Sequence, residues 1–251
     1  MDSIAVIIKN STSERIANPV SSTIKGNFTV WTSGSTQYLL DTNGVIYKST
    51  TLTSWSSYSN LSSDLLTRLK KSANGSQSGY SIKSVNVKKV GDYYNLYTSS
   101  SNSSGNSWIG VSRSTSITGP FEFVGSISEG LYPAIRVTDE GVYMIYGSGD
   151  LKITKLTEDG LTIDEESVSI ISNIPELRCG LILVYKDNYY IFANTPSNIY
   201  VYMVTELENL LDGSESLSEP TNPVLSGISG GLTNPTFGNN IVSTHLLFMT
   251  D

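Results

Sequence analysis

One unit recurs along this chain, and the recurrence restricts the fold more than any other feature. A strand rich in aromatic residues is followed by a short loop and a second strand that ends in a polar stretch. The first strand reads Phe28-Thr29-Val30-Trp31, then Tyr93-Tyr94-Asn95-Leu96-Tyr97, then Val142-Tyr143-Met144-Ile145-Tyr146. It returns as Tyr189-Tyr190-Ile191-Phe192 and last as His245-Leu246-Leu247-Phe248, with copies 47 to 65 residues apart. The second strand reads Gly44-Val45-Ile46-Tyr47-Lys48, Trp108-Ile109-Gly110-Val111-Ser112, Leu151-Lys152-Ile153-Thr154-Lys155 and Ile199-Tyr200-Val201-Tyr202-Met203. Further apolar stretches, Val85-Asn86-Val87, Ala134-Ile135-Arg136-Val137 and Leu181-Ile182-Leu183-Val184, precede the aromatic strands and supply an innermost strand.

The fifth copy has no room for its second strand before Asp251. A matching strand stands at the other end, Ile4-Ala5-Val6-Ile7-Ile8-Lys9, with a polar tail like that after Val111. Such a circular offset closes a ring and leaves no open sheet edge. The expectation is an all-β, five-bladed β-propeller whose N-terminal strand completes the last blade. Residues 1–251 read as one domain: closing strand 1–13, blades at 14–58, 81–128, 129–170, 171–222 and 223–251, and a helical insert at 59–80. The insert carries Ser62-Ser63-Asp64-Leu65-Leu66-Thr67-Arg68-Leu69-Lys70, a short capped helix with Leu65, Leu66 and Leu69 on one face. Thr98 to Ser107 reads as a low-complexity hairpin loop. A β-sandwich of similar length is the alternative, but its strands need not recur as a unit.

Composition agrees with many short strands and loops. Ser alone takes 41 positions and Tyr 15, while charged residues make up 16%. The net charge is −7 with no basic run, which argues against a nucleic-acid partner. The densest basic patch, Lys88-Lys89, reads as strand-edge protection. A single cysteine, Cys179, and a single histidine, His245, exclude an intrachain disulfide and a zinc site built on several His or Cys. Cys179 is expected to be a buried, inert thiol. No apolar run reaches membrane-spanning length, and the N-terminus lacks the pattern of a signal peptide. A Ser/Thr/Asn-rich, charge-poor surface points to an extracellular or virion-associated protein; without a signal peptide, release by lysis is one route outside, and a removed signal or an excised domain would read the same.

Three stretches resemble family 43 glycoside hydrolases and the related fructan-cleaving families. They are Val90-Gly91-Asp92-Tyr93-Tyr94 through Gly119-Pro120-Phe121-Glu122, Tyr132-Pro133 through Asp159-Gly160, and Lys186 to Phe192, about half the chain. The resemblance implies three carboxyl groups at the inner ends of blades, two of them facing across the scissile bond. The base usually precedes a proline, and here that place reads Asn18-Pro19. The acid that tunes the proton donor falls at Tyr132-Pro133, and the fifth blade repeats the frame as Asn234-Pro235. The general acid falls at Arg178-Cys179-Gly180, and the equivalent place in the second blade is Lys83 or Ser84.

None of these places is acidic. An amide cannot act as a base at neutral pH, and neither Tyr nor Arg can replace a carboxylic acid here. No catalytic residue is therefore assigned; Glu176 is the nearest rescue candidate, with Glu129 and Asp139 behind it. Asn18, Tyr132, Arg178, Asn234 and Ser84 would instead line a ligand-binding channel mouth or simply plug it. Amides and guanidinium groups bond vicinal hydroxyls in pairs, and Tyr offers an apolar ring. Three functions follow: a non-catalytic carbohydrate-binding propeller, such as a phage-tail or host-surface recognition module; a glycosidase with relocated acids; and a scaffold propeller that binds protein. The partner of the first is a glycan or a glycosylated cell surface, without membrane insertion. No cofactor is called for by the residues, although the resemblance implies that a calcium ion could occupy the channel.

Overall fold

A computed structural model describes residue 24 and residues 27–51, 54–165, 169–171, 174–185, 187–217, 236–239 and 244–247. Its strands form radial sheets of a β-propeller. Blade 1 contains β1 (Phe28–Ser33), β2 (Thr36–Asp41), β3 (Val45–Ser49) and β4 (Ser56–Asn60), hydrogen-bonded in that order. Helix α1 (Ser63–Leu69) follows. Blade 2 contains β5 (Ser81–Val90), β6 (Tyr93–Ser101), β7 (Ser107–Ser114) and β8 (Glu122–Ser128), again in order. Blade 3 contains β9 (Ala134–Val137), β10 (Val142–Tyr146) and β11 (Leu151–Leu156), with β12 (Ile163–Glu165) and β13 (Ser169–Ile171) both on β11. Blade 4 contains β14 (Arg178–Tyr185), β15 (Asn188–Asn194) and β16 (Ile199–Val204), and helix α2 (Leu207–Leu211) leaves it. A hairpin of β17 (Thr236–Asn239) and β18 (Thr244–Leu247) lies against β1 and β14.

The described residues thus show four blades and a hairpin. The proposed closing strand at 1–13 lies outside them, as do Asn18 and Asn234.

Strand alternation explains how the blades hold together. Successive side chains point to opposite faces of a sheet. In β10, Tyr143 and Ile145 enter the core shared with blade 4, while Val142, Met144 and Tyr146 enter the core shared with blade 2. All five residues are buried. A second inter-blade core joins blade 1 to blade 2 and collects Leu65 and Leu69 of α1. The helix is capped as its sequence predicts, with Leu65 N–H donating to Ser62 Oγ at 3.2 Å.

Blades 2 and 3 are also joined by a polar clasp. The Asp159-Gly160 turn of blade 3 presents two carbonyls to blade 2. Asn95 Nδ2 and Arg113 donate to Asp159 O, and Tyr97 OH donates to Gly160 O at 2.9 Å. Arg113 Nε in turn donates to Asn95 Oδ1 at 2.9 Å. Asn95 and Tyr97 are fully buried, so these bonds replace lost water contacts. Burial pushes the Tyr97 phenol up to about 12, which keeps it a hydrogen-bond donor.

Three expectations need correction. Phe28–Trp31 is the inner strand of blade 1, not the counterpart of Tyr93–Tyr97; β2, with Tyr38, takes that place. Both strands are aromatic and short, so the repeat frame slipped by one strand in the first copy. Thr98, Ser99 and Ser100 belong to strand β6 and are buried; only the turn between β6 and β7 is loop. Two of the three hydroxyl groups find partners inside: Ser99 Oγ shares a hydrogen bond with Ser84 Oγ at 2.7 Å, and Ser100 Oγ donates to Leu69 O at 2.8 Å. Finally, Lys88 and Lys89 lie on the innermost strand of blade 2, facing the channel rather than the outer rim.

The clasp leads to a test. Gly160 has φ +72°, and a Cβ there would come within 2.4 Å of Tyr97 Oη. Gly160→Ala is expected to lower unfolding stability by about 2 kcal/mol in chemical denaturation, through backbone strain and clash. Ser62→Ala should cost about 1 kcal/mol through the lost cap.

Candidate functional site

The inner ends of the blades meet at one mouth of the channel, and three of the sequence-predicted residues come together there. Ser84, near the start of β5, is 2% exposed and shares a hydrogen bond with Ser99 Oγ at 2.7 Å. Ser99 is its cross-strand partner in β6. The Tyr132 N–H donates to the same Ser99 Oγ at 3.2 Å. The Arg178 guanidinium, at the start of β14, lies 4.4 Å from the centre of the Tyr132 ring. A cation at that distance from a ring face is attracted by the ring quadrupole. Inner ends of blades 2, 3 and 4 are thereby joined by polar and cation–π contacts.

Tyr132 has φ +54°, a left-handed conformation rare for an aromatic residue. Leu131 O accepts from Gly147 N–H at 2.8 Å, which pins the segment to the end of β10. Glu176 has φ +59°, two residues before Arg178, and Gly149 N–H donates to Leu177 O at 2.8 Å. Strained backbone of this kind persists where surrounding contacts over-determine it, and it clusters at binding sites.

Tyr132 is 8% exposed, with the guanidinium on one ring face. It therefore holds Arg178 in place rather than offering an open platform. Arg178 is half-buried, and its Nε is buried with no hydrogen-bond partner. Glu176, Glu129 and Asp139 are all exposed. The buried carboxylate Asp41 serves its own hairpin, accepting from Asn43 N–H at 3.0 Å and Val45 N–H at 2.9 Å. Burial, opposed by these bonds, raises its pKa. Cys179 is fully buried, and burial pushes its thiol up to about 12, so it is no nucleophile.

Two mouth residues escaped the sequence reading. Ser99 joins Ser84 to Tyr132, and the β5–β6 register would have revealed it. Asn27 immediately precedes β1, as Pro133 precedes β9; its Nδ2 donates to Lys83 O, and its Oδ1 is buried without a partner. Counting from β2 instead of β1 would have found it. Asn18, counted in the slipped frame, and Asn234 lie outside the described residues.

Below the mouth the channel widens into a cavity of about 360 Å³, lined by β1, β5, β9 and β14. Lys88 and Arg136 face it. Among the described residues no His, Cys, Asp or Glu group could hold a metal ion, and three cations, Lys88, Lys89 and Arg136, line the space. These residues do not fit calcium, which needs oxygen ligands and negative charge. Trp108 is core, its Nε1 donating to Lys71 O at 2.9 Å. Trp31 stacks on Tyr38, ring centres 6.0 Å apart.

Solved structures with the same architecture include arabinanases, a galactanase and a family-43 glycoside hydrolase. The Cellvibrio cellulosa alpha-L-arabinanase complexed with arabinohexaose superposes with a TM-score of 0.71 at 22% identity, covering 89% of this chain and 85% of that one. This chain shares the arabinanase propeller fold. The native Bacillus subtilis arabinanase gives a TM-score of 0.70 at 18% identity, over 92% and 95% of the two chains. An exo-beta-1,3-galactanase from Phanerochaete chrysosporium gives 0.60 at 17%, over 73% and 48%. A thermostable family-43 glycoside hydrolase gives 0.71 at 15%, over 90% and 83%, in line with the resemblance seen in the sequence. No family model and no curated protein matches the chain.

Lys88 provides a pH test. Burial, and next to it Arg136, lowers its ammonium from 10.5 to about 8. The other charged or titratable groups facing the cavity are Lys89 and Tyr94. Between pH 8 and 10.5 the unfolded chain therefore binds more protons at this residue than the folded chain. Stability contributed by this residue must rise across that window, and its cost is fully present below it. Urea midpoints of wild type and Lys88→Met should converge as pH rises from 7 to 10, with the variant the more stable at pH 7.

Proposed function

We propose that this chain is a non-catalytic carbohydrate-binding propeller that holds a glycan at the channel mouth. The observation that carries the reading is the Arg178–Tyr132 stack, set on strained backbone at the place where the resemblance implies two acids. A guanidinium fixed on a ring presents its remaining N–H groups in a rigid fork, suited to paired hydroxyls or a sugar carboxylate. Ser84, Asn27 and Arg178 supply polar groups along one arc. The fold supports the class of ligand, since one structural neighbour is an arabinanase holding arabinohexaose.

In this reading five blades close the ring. The β17–β18 hairpin belongs to the fifth, completed by the strand at 4–9, and Asn18 and Asn234 add amides to the mouth. The polar, charge-poor surface suits a phage-tail or host-surface recognition module outside the cell.

The test is a glycan panel scored for both binding and product release. Arabinan-type and bacterial cell-wall oligosaccharides should bind without turnover. Arg178→Ala should weaken binding by about tenfold or more, as loss of a charge-assisted pair does, while the circular dichroism spectrum is kept. Turnover abolished by Glu176→Gln would replace this reading with that of a glycosidase with relocated acids. A panel without binders, together with a stable complex with another protein, would replace it with a scaffold.

A further inference from the structure

The channel below the mouth presents an electrostatic problem that the described residues leave unsolved. Its cavity, of about 360 Å³, is walled by the inner strands of all four blades. On β5, Val85 and Val87 pack toward blade 1, and alternation sends Ser84, Asn86 and Lys88 to the other face. Lys88 there meets Arg136 of β9, and the two cations repel each other. Neither has a salt-bridge partner among the described residues, where Lys155–Glu208 is the one ion pair. No carboxylate lines the cavity among those residues.

Hydrogen-bond donors are left over in the same place. Arg136 Nε and Trp31 Nε1 are buried N–H groups with no partner, and both residues line the cavity. A buried donor without an acceptor is rare and costly, and like charges held in one partly enclosed space without a counter-charge add to that cost. Asn86 Oδ1, also buried and unpartnered, is an acceptor that a protonated oxyanion or a bound water would satisfy. Lys88, Arg136, the neighbouring Lys89 and two spare N–H groups around one cavity call for the same species, one that is negative and accepts hydrogen bonds.

We propose that the central channel is an anion site, holding a small oxyanion or carboxylate between Lys88 and Arg136 with Trp31 Nε1 and Arg136 Nε as further donors. The size admits phosphate, sulfate or a short carboxylate, since the cavity equals roughly a dozen water volumes. The anion sits at the meeting of four blades, so it ties their inner strands together. This site is independent of sugar binding at the mouth and would remain if no glycan bound there.

Thermal melts of the full chain in a zwitterionic buffer test it. Sodium phosphate, acetate or chloride should raise the wild-type midpoint saturably, by about 3–6 °C at tenfold excess over Kd. Lys88→Met and Arg136→Met should lose most of that rise. The Lys88 variant keeps the side-chain volume and removes a partly buried charge, so it is expected to fold and can decide alone. Crystals of the wild type grown in sodium bromide should show an anomalous peak between Lys88 and Arg136. Equal salt gains in wild type and variants, with no such peak, would show that water alone fills the channel and overturn the proposal. A gain from calcium chloride beyond sodium chloride at equal chloride, kept in Lys88→Met, would overturn it as well.

Discussion

Burial of both faces of every blade is the constraint on which the rest of this structure depends. A sheet with one apolar face can stop at a neighbour on one side. Blade 3 cannot, because Tyr143 and Ile145 need blade 4 while Val142 and Met144 need blade 2. Each blade therefore completes the core of the next, and a radial arrangement is how such sheets satisfy one another. The helix α1 and the buried Ser run of β6 serve the same end by sealing the outer part of the core between blades 1 and 2.

The radial arrangement also produces the site. Inner strands converge on the axis, and at the mouth short polar residues on them link one blade to the next. Ser84, Ser99 and the Tyr132 backbone form one such crossing, and the Asp159-Gly160 turn with Asn95 and Tyr97 forms another further out. Mouth and clasp share one logic: buried polar groups are tolerated because they are bonded, and some of those bonds also join two blades.

Much of this was legible in the chain itself. The aromatic repeat gave the propeller, Ser62 and the leucines gave the helix, the proline frame led to Tyr132, and counting back from Tyr189-Tyr190 led to Arg178. The slip in blade 1 had a physical cause. Phe28–Trp31 and Thr36–Asp41 are both short and aromatic, and only hydrogen-bond order tells an inner strand from its neighbour. Asn27 was missed for that reason. Ser99 was missed because a polar run looks like a loop until cross-strand pairing shows where its hydroxyl groups point.

By itself the sequence determined the type of sheet, the repeat and the residues available at the inner ends, because alternation and turn chemistry are local. It also determined that no acid stands at the motif-matched places. Only the tertiary structure decided which of these residues meet. Arg178 and Tyr132 are 4.4 Å apart in space but belong to different blades. Lys88 and Arg136 are unremarkable on their own strands and become a shared cationic wall only when blades 2 and 3 close on one channel. Charge, strain and burial at the axis are properties of strands brought together, and no single strand carries them.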